Sequence, residues 1–452
     1  MPNLWFASAL LPEGWAERVR IGVADGRIVT LAAGVDPGVG DERHGIALPG
    51  LPNLHSHAFQ RGLAGLTERR GPVADSFWSW RELMYRFVER IGPEELEAVS
   101  AFAFAEMLEA GFTHVGEFHY LHHDRGGVPY GDPGELAARI AAAAQASGIG
   151  LTLLPTFYAH GGFGGAPPSA RQRRFVTDPA AFARLLETSR RAVSALSGAH
   201  VGVAAHSLRA VTPEELRELI ALGAGGVIHI HIAEQLKEVE DCRAWSGGRR
   251  PIEWLLAEQR VDERWCLVHA THANAAELAG IAASGAVVGL CPSTEASLGD
   301  GIFPAEAFLG AAGRIGVGSD SNVRLDAAEE LRLLEYSQRL ILRARNVLAR
   351  REGASTGAGV FAASLAGGAQ ALGIAAGLLP GASADIVSLA ADDAALAERR
   401  ADEVLDTWIF TGGRALIDCV WRAGRRVVSS GRHHERARLA ERYAQALRRL
   451  RA

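Results

Sequence analysis

Eight short runs rich in Val, Ile, Leu and Thr recur about every 30 to 50 residues, separated by Ala/Glu/Leu/Arg segments of helical periodicity. In order they are 47–57, 113–120, 150–158, 200–207, 227–233, 266–271, 287–293 and 314–320. Between them lie stretches such as "GPEELEAVSAFAFAEMLEAG", "PGELAARIAAAAQASG", "TPEELRELIALG" and "NAAELAGIAASG", several opening on Pro-Glu-Glu or Asn and closing on Gly, as helix starts and stops do. Strands that read as continuous apolar runs and alternate with helices imply a parallel sheet covered on both faces. Eight such units predict an α/β fold, a (β/α)8 barrel over residues 47–374.

The flanks have a different pattern. Residues 1–46 carry short strand-like pieces broken by Gly and Asp, as in "RVRIGVADGRIVTL", where Asp25-Gly26 predicts a hairpin turn. A matching β-rich piece returns at 375–430, in "ADIVSLAADD" and "ALIDCVWRAGRRVVSSGR". Two β-rich ends enclosing a barrel predict one small β-sandwich domain built from both termini, because each must cover its apolar face. Residues 431–452 predict a surface helix with a solvated charged face. The Gly/Pro-rich segment 160–175 after the third strand predicts a flexible loop over the barrel mouth.

Composition removes several functional classes. Hydrophobic residues make up 48% and charged residues 22%, usual for a folded soluble chain. A net charge of −5 gives no basic footprint for nucleic acid. The N-terminal stretch lacks a basic n-region and is interrupted by Pro12 and Glu13, so no signal peptide is expected, and no apolar run approaches the roughly 18 residues of a membrane span. Cys242, Cys266, Cys291 and Cys419 are scattered without CxxC spacing, which predicts a reducing, cytoplasmic setting rather than a disulfide frame or thiolate zinc site.

In a barrel of this kind chemistry sits at the C-terminal ends of the strands. His55 and His57, two apart at the end of the first strand, share one face. Neutral imidazoles converging at such a place are what a divalent metal needs, zinc or iron among them. The fifth strand adds His229 and His231, with Glu234 three residues beyond; His231 is nearer the strand end and His229 a layer deeper. The sixth offers His269 and His272, and the eighth ends in "VGSDS", placing Asp320 where a carboxylate can reach the barrel axis.

This set resembles the amidohydrolase superfamily, whose pattern of His-X-His after strand one, His after five, His after six and Asp after eight is matched at His55, His57, His231, His269 and Asp320. Binuclear members bridge two metals with a lysine on the fourth strand; here Lys237, beyond the fifth, is the only lysine. The resemblance therefore implies a mononuclear site with His55, His57, His231 and Asp320 as ligands, one zinc ion per subunit, with iron or manganese as substitutes, and a homodimer. A metal with an open position lowers the pKa of its bound water towards about 7. In "HIAE" Glu234 is free to shuttle a proton to a substrate nitrogen, His269 holds the attacking water or the developing charge, and Asp320 takes and returns a proton. Such a set suits ammonia release from a C=N carbon more than peptide cleavage.

Gln60, Arg81, Tyr120, His206 and Arg209 stand near the expected mouth. Two arginines beside Tyr, His and Gln suit a small substrate with carboxylates, because guanidinium makes bidentate, charge-assisted bonds. The motifs "PNLHSHAFQR", "DSFWSWRELMYR", "EFHYLHHD", "HSLRAVTP", "HIHIAEQ", "CLVHATH", "LCPSTEASLGDGIFP" and "GSDSNV" resemble the formiminoglutamate deiminases of histidine degradation, from about residue 3 to 430. That resemblance implies hydrolysis of N-formimino-L-glutamate to N-formyl-L-glutamate and ammonia. It also implies Gln60, Arg81, Tyr120, His206 and Arg209 as substrate contacts and Glu234 as proton shuttle. Members commonly carry His where Asn322 follows "GSDS", so no contact is assigned to Asn322. Two other readings are an aminopurine or pterin deaminase of the same superfamily and a catalytically silent barrel acting as a binding protein.

Overall fold

The computed structural model describes residues 3–71 and 75–451. Its strands form two sheets. β1 to β4 (Leu4–Leu11, Gly14–Ala24, Arg27–Ala32, Glu42–Pro49) come from the N-terminal end. The central run is β5 (Leu51–Ser56), β6 (Phe112–His119), β7 (Gly150–Phe157), β8 (His200–Val201), β9 (Val203–Ser207), β10 (Ile228–Ile232), β11 (Trp265–His269), β12 (Val287–Leu290) and β13 (Arg314–Val317). β14 to β17 (Ile386–Leu389, Ile417–Arg422, Arg425–Ser429, Arg432–His433) follow.

The terminal strands pair in the order β17-β16-β15-β14-β4-β1-β2-β3, mostly antiparallel, with β1 and β4 parallel. Phe6, Val19, Ile21, Ile28, Ile386 and Trp421 form their own buried cluster. The hairpin turn at Asp25-Gly26 is present with φ of 48° and 77°, the left-handed pair that matches strand twist.

The central strands run parallel in the order β13-β12-β11-β10-β9-β7-β6-β5, and every residue of β6 and β7 is buried, as continuous apolar runs require. The barrel closes through a parallel bridge between Ser56 and Asp320. His57 N–H donates to the Asp320 carbonyl at 2.8 Å, and the Ser319 and Asp320 amides donate to the His55 carbonyl at 3.0 Å. The fold is thus a (β/α)8 barrel with a separate sheet from the termini.

Two expected strands are each two elements. The run 47–57 splits at Gly50, because β4 pairs with β1 and β14 of the terminal sheet while β5 begins the barrel. A Cβ at Gly50 would lie 2.2 Å from Thr113 Cγ2, so the crossing between sheets needs glycine. The fourth barrel strand is interrupted at Gly202, leaving β8 and β9 as its halves.

Helix Thr356–Leu372 covers the bottom of the barrel, where Gly367 comes so close to β13 that a Cβ would meet Ile315 O at 1.9 Å. Capping follows the sequence signals: Thr212 with Glu215, and Asn274 with Glu277, form reciprocal capping boxes. The C-terminal helix Arg436–Arg451 lies on helix Pro93–Glu109, with Tyr443 stacked on Phe102 at 4.5 Å. Its charged face is not simply solvated. Arg436, Arg442 and Arg449 pair with Glu109, Glu97 and Glu95 at 2.7, 2.7 and 2.6 Å.

Candidate active site

At the top of the barrel, two ring tautomers are set by backbone carbonyls. His57 Nδ1–H donates to Phe118 O, and His231 Nδ1–H to His206 O, each at 2.9 Å. Both rings are thereby held with Nε2 bare and aimed inward. The Nε2 atoms of His231 and His55 are 3.1 Å apart, and the Asp320 carboxylate lies 3.6 Å from His55 Nε2 and 3.3 Å from His57 Nε2. Burial pushes His55 down to about 3 and lowers His57 and His231, so these imidazoles are neutral at physiological pH. Burial alone would raise Asp320, but His55, His57 and His269 outweigh it and hold the carboxyl well below its ordinary range. Three imidazole nitrogens and one ionised carboxylate converging at this spacing fit a single divalent metal.

His229 takes no part. Its Nε2 bonds to Ala371 O at the covered end of the barrel. Lys237 is exposed and paired with Asp241 on helix Leu236–Trp245, and so cannot bridge a second metal.

His269 and Glu234 stand beside the cluster. His269 Nε2 is 3.7 Å from both Glu234 Oε1 and Asp320 Oδ2, while its Nδ1 is 3.2 Å from Glu295 Oε1. Burial opposes a charge on this ring, yet Glu234, Glu295 and Asp320 raise it to about 10. Burial lifts Glu234 to about 7, the range a proton shuttle needs near neutrality, with His269 opposing the shift. Ala233, His269, Ala270, Asp320 and Asn322 all hold left-handed φ between 45° and 69°. Non-glycine residues in that region cost of order 1–3 kcal/mol each and gather at functional sites. Here they turn strand-end side chains towards one point.

Above the cluster lies a cavity that reaches His57, His231, Glu234, His269 and Asp320 at its floor and Gln60, Arg81, Tyr120, His206 and Arg209 on its walls. Gln60 donates its Nε2–H to Tyr120 Oη at 3.0 Å and leaves Oε1 buried without a partner. The Arg81 guanidinium lies 4.6 Å over the Trp78 ring. Among the described residues neither Arg81 nor Arg209 makes a salt bridge, and the Nε of each is buried without a partner. All the side chains expected at the mouth are therefore brought together.

Sequence reasoning missed Phe77, Trp80, Met84, Tyr85, Tyr158, Phe175 and Leu298, which also line the cavity. Tyr158 follows β7 and was open to the strand-end rule; its ring packs 4.6 Å from His206. Glu295, following β12, was open to it too. Asn322 is fully buried below the cavity, donating to Ser56 Oγ at 3.1 Å and Asp320 O at 2.9 Å. In the 160–175 segment Gln172, Arg174 and Phe175 are buried. Arg174 donates to the carbonyls of Val88, Ile91 and His123, tying this segment to the end of helix Phe77–Val88, which carries Arg81.

Residues 46–427 match the sequence model of the Amidohydrolase family, and residues 5–45 match that of "Formimidoylglutamate deiminase HutF, N-terminal domain". A formimidoylglutamate deiminase of Pseudomonas aeruginosa is 52% identical over 450 residues, 99% of each chain. The crystal structure of an amidohydrolase from Brucella melitensis superposes with a TM-score of 0.97 at 54% identity over 100% of both chains. An adenosine deaminase structure from Xanthomonas campestris with bound zinc shares the fold at 23% identity, with a TM-score of 0.81 over 99% of this chain and 98% of that one.

Proposed function

The chain belongs to the amidohydrolase family, and we propose that it hydrolyses N-formimino-L-glutamate to N-formyl-L-glutamate and ammonia. One observation carries the substrate assignment: Arg81 and Arg209 enter the cavity with no carboxylate at salt-bridge distance among the described residues. A substrate bearing two carboxylates supplies the two missing anions, each through charge-assisted hydrogen bonds. The Pseudomonas aeruginosa relative carries the matching name.

In this reading His55, His57, His231 and Asp320 hold one zinc ion, for which iron or manganese can substitute. When bound, the metal supplies a water acidic enough to act as hydroxide at neutral pH. Arg81 and Arg209 anchor the carboxylates, with Tyr120, Gln60 and His206 completing the polar wall, and so place the formimino carbon over the floor of the cavity. Glu234, poised near neutrality, takes a proton from the attacking water and delivers it to the imino nitrogen as the C–O bond forms and the C=N bond becomes single. His269 donates from Nε2 to the oxygen on which charge develops. Asp320 accepts the remaining hydroxyl proton, which passes to the amine as the C–N bond breaks, leaving formyl C=O and ammonia. Buried free thiols at all four cysteines suit a reducing compartment, so we place the enzyme in the cytoplasm, as a homodimer by family resemblance. No described helix is long and apolar enough to cross a membrane.

The aromatic lining favours a second reading, an aminopurine deaminase, because stacking surface is present. Those rings, however, pack on one another and on the histidines, as in Tyr120 edge-on to His57 at 5.0 Å and to Phe175 at 5.0 Å. The test is ammonia release from N-formimino-L-glutamate and from guanine, with and without chelator, alongside metal analysis. Release from guanine alone overturns the assignment.

A further inference from the structure

The motif "LCPSTEASLGDGIFP" contributes no residue to the proposed reaction, yet it carries Glu295. This glutamate lies on the short helix Pro292–Leu298 after β12, is 6% exposed, and makes no salt bridge to Arg or Lys among the described residues. Its Oε1 is fixed from two sides. It accepts Cys291 N–H at 2.8 Å and faces His269 Nδ1 at 3.2 Å. The helix is itself pinned: Ser293 N–H donates to Glu330 at 2.9 Å, and Thr294 Oγ1 accepts from Ser321 N–H at 3.2 Å.

His57, His231 and His269 differ in what stands behind the ring. His57 and His231 give Nδ1–H to backbone carbonyls, which orient the ring and favour neither charge state strongly, as suits a metal ligand. His269 alone gives Nδ1–H to a carboxylate. A carboxylate behind an imidazole holds Nδ1–H and fixes the ring orientation, leaving Nε2 to face the reacting atoms. Without it the ring could turn about χ2 and move Nε2 from the point between Glu234 and Asp320.

We infer that Glu295 is a positioning residue for the deimination reaction, holding the His269 ring in one orientation through the Nδ1–H···Oε1 bond. The competing account is a purely structural one, in which Glu295 only satisfies Cys291 N–H at the start of its helix. The inference rests on the function proposed above for its kinetic test but not for its structural one.

Glu295→Ala and Glu295→Gln, each loaded with zinc, separate the two. The expected result for Glu295→Ala is a fall in kcat of about 10- to 100-fold, with KM within threefold and metal content at one per chain. Glu295→Gln, which keeps an acceptor for both N–H groups, recovers about tenfold of that loss. A crystal structure of Glu295→Ala is expected to show the His269 ring rotated away from Glu234 and Asp320. Unchanged kcat, or a ring that stays in place in Glu295→Ala, overturns the inference. So does loss of metal in step with activity. If the wild-type enzyme releases no ammonia from formiminoglutamate, the proposed substrate fails while the ring orientation still decides the role of Glu295.

Discussion

The Nε2 atoms of His55 and His231 face one another across 3.1 Å although their strands, β5 and β10, stand apart around the barrel. Two imidazole nitrogens so close, beside the Asp320 carboxylate, form a donor set for a cation. Chelation is expected to abolish ammonia release and lower the Tm, with zinc restoring both. A ligand at 1,000 times its Kd stabilises the folded state by about 4 kcal/mol. His231→Ala should lose the metal, read by elemental analysis, and its activity with it.

Glu234→Gln removes the one carboxylate on the cavity floor, among the described residues, that is not a proposed metal ligand. The variant is expected to keep its metal and fold while kcat falls by about 10²–10⁴, the usual range for losing a general acid-base. Full turnover in steady-state kinetics would remove Glu234 from the shuttle.

Arg209→Ala removes the cation proposed to hold one substrate carboxylate in the cavity. Losing one partner of a buried charged pair typically costs about 2–5 kcal/mol, so kcat/KM should fall at least tenfold. An analogue lacking one carboxylate should discriminate less between wild type and variant, and equal discrimination would take Arg209 out of the carboxylate site.

Glu330 gives a pH prediction away from the cavity. Burial pushes its carboxyl from 4.5 up to about 8, against the opposing bonds from Ser293. The folded state thus keeps a proton that the unfolded chain has released at intermediate pH. Stability from this group is fully present below about 4.5, is lost as pH rises towards about 8, and is flat beyond. Glu330→Gln removes that titration, so the fall in Tm between pH 5 and pH 8 should be smaller in the variant than in the wild type.

The barrel was legible because strands buried on both faces read as unbroken apolar runs, and the cluster because His55, His57, His231 and His269 end or directly follow such runs. Where two apolar elements abut, the same signal fails. Nothing in the residues 47–57 marks the change of sheet at Gly50 except the glycine itself, whose need arises from Thr113 across the sheet boundary. Phe175 and Tyr85 reach the cavity from a loop and a helix, and no local pattern places them there. Asn322 was left without a contact because members of the resembling group commonly carry His there; its long-range partner, Ser56, meets it only when the barrel closes.

That closure has a further consequence. Asn53 and Ser319, 266 residues apart, bond across the seam between β5 and the segment after β13, just beneath the Ser56 and Asp320 bridge. His55 and His57 stand on one side of that seam and Asp320 on the other. An ion shared by them acts as a rivet through the joint where the barrel's first and last staves meet, so damage to the seam and loss of the ion should be read as one event.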